Sequence, residues 1–153
     1  MTAHASVSVE SPFSADAAAL LEELDHDLQE RYPRHAIHGV ELAKLDGGQG
    51  FFVVARLDGQ AVGCGAVRVL EPGLGEVKRM FVRPEARRRG VALAVLDKLE
   101  AKAREMGIRT LCLETGTHQP EAIALYERQG YRRTPCFGEY LSDPFSVCYE
   151  KTL

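Results

Sequence analysis

The segment Glu76–Ala92, EVKRMFVRPEARRRGVA, constrains the fold of this chain more than any other. Met80, Phe81 and Val82 read as the end of an apolar strand and Pro84 stops it. Arg87, Arg88, Arg89, Gly90, Val91 and Ala92 then lead into a helix whose apolar face is marked by Ala92, Leu96, Leu99, Ala103 and Met106, up to Gly107. A strand that turns so directly into an amphipathic helix needs a sheet for that helix to pack on. The corner itself is an anion cradle, because a helix start leaves backbone N–H groups unpaired and carries partial positive charge. Gly90 lets the backbone approach a phosphate or pyrophosphate, Ala92 keeps the first turn slim, and the arginines add charge. A solvated basic helix start is the alternative for the same residues.

Around this corner the periodicity predicts a mixed α/β sheet with helices on both faces. Val7 and Val9 alternate with serines in a short first strand. Ser14 caps a helix with Asp16 in its first turn and Leu21, Leu24 and Leu28 on one stripe, broken at Arg31, Tyr32 and Pro33. The segment from His35 to Gly50 gives no clear pattern. Phe51–Leu57 and Ala61–Leu70 are strand-like runs joined by Asp58-Gly59, a hairpin signal. Thr110–Glu114 reads as a short buried strand, Pro120 opens a helix that Gly130 closes, and Tyr131–Arg133 and Ser146–Thr152 read as the last strands. Residues 1–153 form one domain, without repeats or linkers.

Composition narrows the function classes. A formal charge of −3 and a pI near 6.0 argue against a nucleic-acid or membrane-surface binder. No run has the length of a transmembrane helix and the first ten residues lack a signal-peptide core, so the expectation is a cytoplasmic protein. Cys64, Cys112, Cys136 and Cys148 show neither CxxC spacing nor a histidine cluster. They are read as reduced packing residues, with no metal site and no disulfide expected.

Arg87-x-x-Gly90-x-Ala92 lies between a strand and a helix, and downstream stands Gln119-Pro-Glu-Ala122-Ile-Ala-Leu125-Tyr126-Glu-Arg-Gln-Gly130-Tyr131. Together they resemble the two signatures of the GNAT superfamily of acetyl-CoA-dependent N-acetyltransferases. The first is Gln/Arg-x-x-Gly-x-Gly/Ala and the second is Asn-x-x-Ala-x-x-Leu-Tyr-Glu-x-x-Gly-Phe/Tyr. The resemblance covers about residues 6 to 153 and implies the GNAT fold, a central twisted mixed sheet flanked by helices. It also implies acetyl-CoA as co-substrate and direct transfer to a primary amine. Gln119 departs from the usual Asn, so that residue's contact with the cofactor arm does not carry over unchanged.

The resemblance implies a set of site residues. The strand around Met80, Phe81 and Val82 would splay from the Thr110–Glu114 strand and pair with the pantetheine arm, while amides from Arg88 to Ala92 hold the pyrophosphate. Arg87 and one neighbouring arginine would add charge-assisted contacts. Gln119 and Ala122 complete the cofactor set. Glu76, fourteen residues before Gly90, stands where many members carry the general base, acting directly or through water. Its other reading is a strand carboxylate paired with Lys78 or Arg79. Lys78 shares its face unless a bulge breaks the alternation. Tyr126 stands at the general acid's position, the alternative being a core aromatic with a satisfied hydroxyl. The acceptor wall would come from the first helix and the last hairpin, with Arg31, Tyr32, Phe137, Tyr140 and Phe145, fitting a small or amino-acid-like amine. His26, His35, His38 and His118 receive no role. A non-catalytic acetyl-CoA-binding module and a nucleic-acid-associated protein are the rival functions, and a homodimer is compatible with the C-terminal aromatics.

Overall fold

The computed structural model describes residues 4–153. Strand β1 (Ser6–Glu10) leads into helix α1 (Ala15–Arg31). Then come the meander β2 (Gly50–Leu57), β3 (Gln60–Glu71) and β4 (Leu74–Val82), followed by helix α2 (Val91–Glu105). The chain finishes with β5 (Thr110–Gly116), α3 (Pro120–Arg128), β6 (Arg132–Thr134) and β7 (Ser146–Thr152). One seven-stranded sheet results, ordered β1-β2-β3-β4-β5-β7-β6. Neighbouring strands are antiparallel except β4 and β5, whose parallel pairing follows from the α2 crossover between them.

Local chemistry explains the elements. The Ser14 hydroxyl accepts the Ala17 N–H at 3.1 Å, capping α1, and Tyr32 with extended backbone ends it before Pro33. Asp58 and Gly59 both have positive φ, 50° and 80°, the conformation a two-residue hairpin needs. The patternless region 35–50 holds two short 3-10 turns, Arg34–Ala36 and Leu42–Leu45.

The sheet is covered on both faces. Leu20, Leu21 and Leu24 of α1 pack with Phe52, Val54, Cys64, Ala66 and Phe81. On the other face Val95, Leu96 and Leu99 of α2 meet Val53, Val67, Val77, Leu111 and Leu113, with Tyr126 of α3 and Tyr131 beside them. Leu96 and Leu99 are fully buried, each contributing about 1.5–3 kcal/mol by leaving water.

The cysteine expectation needs correction. Cys64 and Cys112 are free and buried, but Cys136 and Cys148 form a disulfide. Thr134 of β6 pairs with Cys148 of β7, which brings Cys136, two residues on, to a Cα separation of 5.1 Å. That proximity comes from strand register, which the spacing of the cysteines along the chain does not reveal. Among the described residues, no helix is long and apolar enough to cross a membrane.

Candidate active site

The site begins where two strands part. β4 and β5 pair from Leu74↔Thr110 to Val77↔Leu113 and no further, while β4 continues beside β3 to Val82 and β5 beside β7 to Gly116. The divergence coincides with a bulge: Arg79 has φ 59°, and the β3–β4 register shifts between Cys64 and Ala66. An extra residue bends its strand and increases its twist, so β4 turns away from β5 beyond Lys78. A cavity of about 100 Å³ fills the gap, bounded by Lys78, Met80, Glu114, Gln119, Tyr126 and Tyr140 among others.

The sheet divides this cavity into two sides. Val77, Leu111 and Leu113 pack with α2, so strand alternation turns Glu76, Lys78, Cys112 and Glu114 toward the α1 face. The bulge lies beyond Lys78, which leaves Lys78 on the face of Glu76 and returns Met80 to the α2 side. Ala122 and Tyr126 reach the cavity from that second side.

At the α2 end the cradle is made mainly of backbone. Arg88 and Gly90 have left-handed φ, 65° and 75°, and Gly90 caps α2 with no side-chain hydrogen bond to the first-turn amides. A Cβ on Gly90 would meet nothing within 4 Å. Inside the protein the glycine is therefore favoured by its backbone conformation, and the space in front of it is open. Arg87, Arg88 and Arg89 are exposed, with Arg87 Nε donating to the Val82 carbonyl at 3.0 Å. Val91 is buried and Ala92 half-buried where α2 starts. Phe81 is turned into the α1 cluster, while Met80 and Val82 lie against the α2 cluster.

At the other end, charges are locked together. Glu76 is wholly buried: Oε2 accepts the Tyr140 hydroxyl at 2.7 Å, and Oε1 accepts Arg68 Nη2 at 3.0 Å. Lys78 Nζ lies 3.7 Å from Glu76 and donates to the Tyr140 oxygen at 2.7 Å. Arg79 goes instead to Asp25 of α1. Phe137 stands edge-on to Tyr140 with centroids 5.4 Å apart.

Three titratable groups on the cavity wall differ in kind. The Tyr126 ring is buried beside Tyr131, its pKa is pushed up by burial, and no group among the described residues hydrogen-bonds its hydroxyl. It is a protonated donor without a protein partner. Glu114, where β5 leaves β4, has its pKa raised to about 7 by burial, against the Ser146 hydroxyl it accepts at 2.8 Å and nearby His38 and Lys78. His38 Nε2 lies 2.6 Å from Asp143 Oδ2, and its ring meets Tyr140 edge-on at 4.9 Å.

The first helix and last hairpin meet at the rim. Arg31 bonds Glu121 at 2.8 Å and the His118 carbonyl at 3.0 Å, tying the end of α1 to the start of α3. The Tyr32 hydroxyl donates to Gln119 Oε1 at 3.2 Å and accepts the His118 N–H at 3.0 Å. Its ring stacks on His118, and Phe145 is edge-on to both. A Cβ on Gly116 would overlap the Tyr32 hydroxyl, so this glycine makes room for the tyrosine. The Gln119 oxygen is occupied by Tyr32 and the Gly116 N–H, which leaves its amide nitrogen as the group able to reach a ligand.

The structure thus joins Met80, Gln119, Ala122, Tyr126 and Tyr140 around one cavity, sets Glu76 one layer beneath it, and commits Arg31 and Tyr32 to the α1–α3 clamp. Sequence reasoning missed His38 and Glu114. The carboxylate in the otherwise apolar run Leu111-Cys-Leu-Glu114 was the available signal for the second. His38 meets a partner 105 residues away and gives no such signal.

The model of the acetyltransferase (GNAT) family matches residues 17–131. An IAA acetyltransferase of Azospirillum brasilense is 43% identical over 148 residues, covering 96% of this chain and 97% of that protein. A Klebsiella pneumoniae structure, provisionally named an acyl-CoA N-acyltransferase, superposes with TM-score 0.86 at 39% identity and covers 97% of each chain. A GNAT family acetyltransferase of Elizabethkingia anophelis, solved with acetyl-CoA bound, shares the fold with TM-score 0.71 at 17% identity, covering 97% of this chain and 98% of that one.

Proposed function

The chain belongs to the GNAT acetyltransferase family, and from that premise we propose that it moves the acetyl group of acetyl-CoA directly to a primary amine of a small or amino-acid-like acceptor. The observation that carries this reading is the splay: one cavity exposes the unpartnered Tyr126 hydroxyl on one side of the sheet and a carboxylate on the other. The free edge of β4 from Lys78 to Val82 would accept the pantetheine amides as an added strand. The amides from Arg88 to Ala92 would take the pyrophosphate, with Arg87 and one neighbour adding charge. A backbone N–H near Phe81 or Val82 would polarise the thioester carbonyl.

Tyr126 gives its proton to the departing thiolate; it is the right group because burial keeps it protonated. A covalent acetyl-cysteine is not required, and burial pushes both free thiols up to about 12, far from the thiolate a nucleophile needs. A proton bound for Glu76 would have to travel along the Tyr140 hydroxyl, because no part of that carboxylate reaches solvent. We assign Glu76 first to holding Tyr140 and Lys78 at the acceptor end.

Tyr126→Phe tests the reading against a non-catalytic acetyl-CoA binder. Transfer to an acceptor found by screening amines for CoA release should fall about 10²-fold, with acetyl-CoA affinity and Tm nearly unchanged. Full turnover in a destabilised variant would instead make the hydroxyl a structural group.

A further inference from the structure

We infer that Glu114 is the general base for the acceptor amine, placed across the sheet from Tyr126. The inference rests on the acetyl-transfer reading above and assigns a residue within it. Its argument is positional. Direct transfer needs a proton acceptor where the amine enters and a proton donor where the thiolate leaves. Glu114 and Tyr126 line one cavity from opposite faces of the splayed strands. Beyond the last β4–β5 pair, Val77↔Leu113, Glu114 is the first residue of β5 with no β4 partner, so its carboxylate stands at the opening itself.

The competing carboxylates are occupied. Glu76 has both oxygens engaged and no exposed surface. Asp143 is taken by His38 and by the Phe145 N–H at 2.8 Å. Glu139 is more than half exposed, with its carboxylate toward His38 at 3.9 Å and Lys78 at 4.0 Å. Glu114 Oε2 accepts from Ser146, and Glu114 is the carboxylate that lines the cavity.

The groups facing it set when it ionises. They are Tyr32 at the end of α1, His38 in the following loop, Lys78 and Tyr140 at the cavity, Tyr126 on α3, and Asp143 before β7. Burial outweighs the help of Ser146, His38 and Lys78, so the carboxyl is held near 7, close to the working pH that favours a general base.

The step balances as follows. The Glu114 carboxylate takes one proton from the ammonium and becomes the acid. The freed nitrogen lone pair forms the N–C bond at the thioester carbonyl, and the C–S bond breaks with its electron pair on sulfur. Tyr126 protonates that sulfur. The nitrogen loses its second proton, which returns through water to Tyr126, and Glu114 releases the first to solvent. The products are the amide, CoA thiol and one proton.

The test is the pH profile of kcat at saturating acetyl-CoA and acceptor, from pH 5.5 to 9. Wild-type kcat should fall about tenfold per unit below pH 7 as Glu114 protonates. Glu114→Gln should lower kcat at pH 8 about 10²-fold and abolish that acid limb, with acetyl-CoA affinity retained. Ser146→Ala removes the hydrogen bond that favours the charged carboxylate and should move the limb to higher pH. Stability gives an independent sign. The folded-state pKa lies above its ordinary 4.5, so wild type loses stability as pH rises from 4.5 through 7, and Glu114→Gln should melt higher at pH 8. Wild-type kcat and acid limb in Glu114→Gln, or an unmoved limb in Ser146→Ala, would overturn the inference while leaving the transferase reading intact. Failure of wild type to acetylate any amine despite binding acetyl-CoA would overturn both.

Discussion

The two ends of the β4–β5 splay are built by different means. At the α2 end the cradle from Arg88 to Ala92 consists of backbone in two left-handed conformations, exposed arginines and a helix start without a side-chain cap. At the other end Arg68, Glu76, Lys78 and Tyr140 form a closed hydrogen-bonded cluster, with His38 and Asp143 against it. The first end leaves its helix-start amides without a side-chain cap and its arginines in solvent. The second end pairs its charges with one another, Arg68 Nε alone lacking a partner among the described residues, so a change there is felt as stability before it is felt as binding.

Substitutions at each end sharpen that contrast. The largest expected effect is Glu76→Gln. It leaves the buried Lys78 and the partly exposed Arg68 facing a neutral group, and breaking a buried ion pair from one side costs about 3–5 kcal/mol. Thermal unfolding should shift down by roughly 10 °C, since 1 kcal/mol moves Tm by about 2–4 °C at this size. A melting curve that matches wild type would mean the cluster is not the structural unit described. The smaller effect is Gly90→Asp at the cradle. A non-glycine residue at φ 75° costs about 1 kcal/mol, and an added carboxylate opposes the pyrophosphate. Calorimetry should show acetyl-CoA binding weakened by about tenfold or more with Tm down only a few degrees. Undiminished affinity would remove the cradle.

The same contrast explains what could be read from the chain. The strand-to-helix corner is local: strand, proline, arginines, glycine and helix follow one another within Glu76–Ala92, so its place in the fold is legible in sequence. The helix cap at Ser14 and the Asp58-Gly59 hairpin are legible for the same reason. The Tyr140 end is assembled over long separations. Tyr140 meets Glu76 across 64 positions and His38 meets Asp143 across 105, and no short-range pattern announces either contact. The Cys136–Cys148 bridge belongs with them, being fixed by the register of β6 on β7. Glu76 shares the face of Lys78 because the bulge falls beyond that pair, a position the sequence leaves open, and its complete burial depends on Tyr140 closing over it from the last hairpin.

The central claim is that cofactor and acceptor occupy opposite ends of this splay, and amide chemical shifts during titration with acetyl-CoA test it most directly. The amides of Arg88, Arg89, Gly90, Val91 and Ala92, together with those of Met80, Phe81 and Val82, should move and saturate together. Those of His38, Glu139, Tyr140 and Asp143 should stay nearly still. Saturating shifts confined to the His38–Tyr140 end, with the Gly90 loop unmoved, would contradict the account.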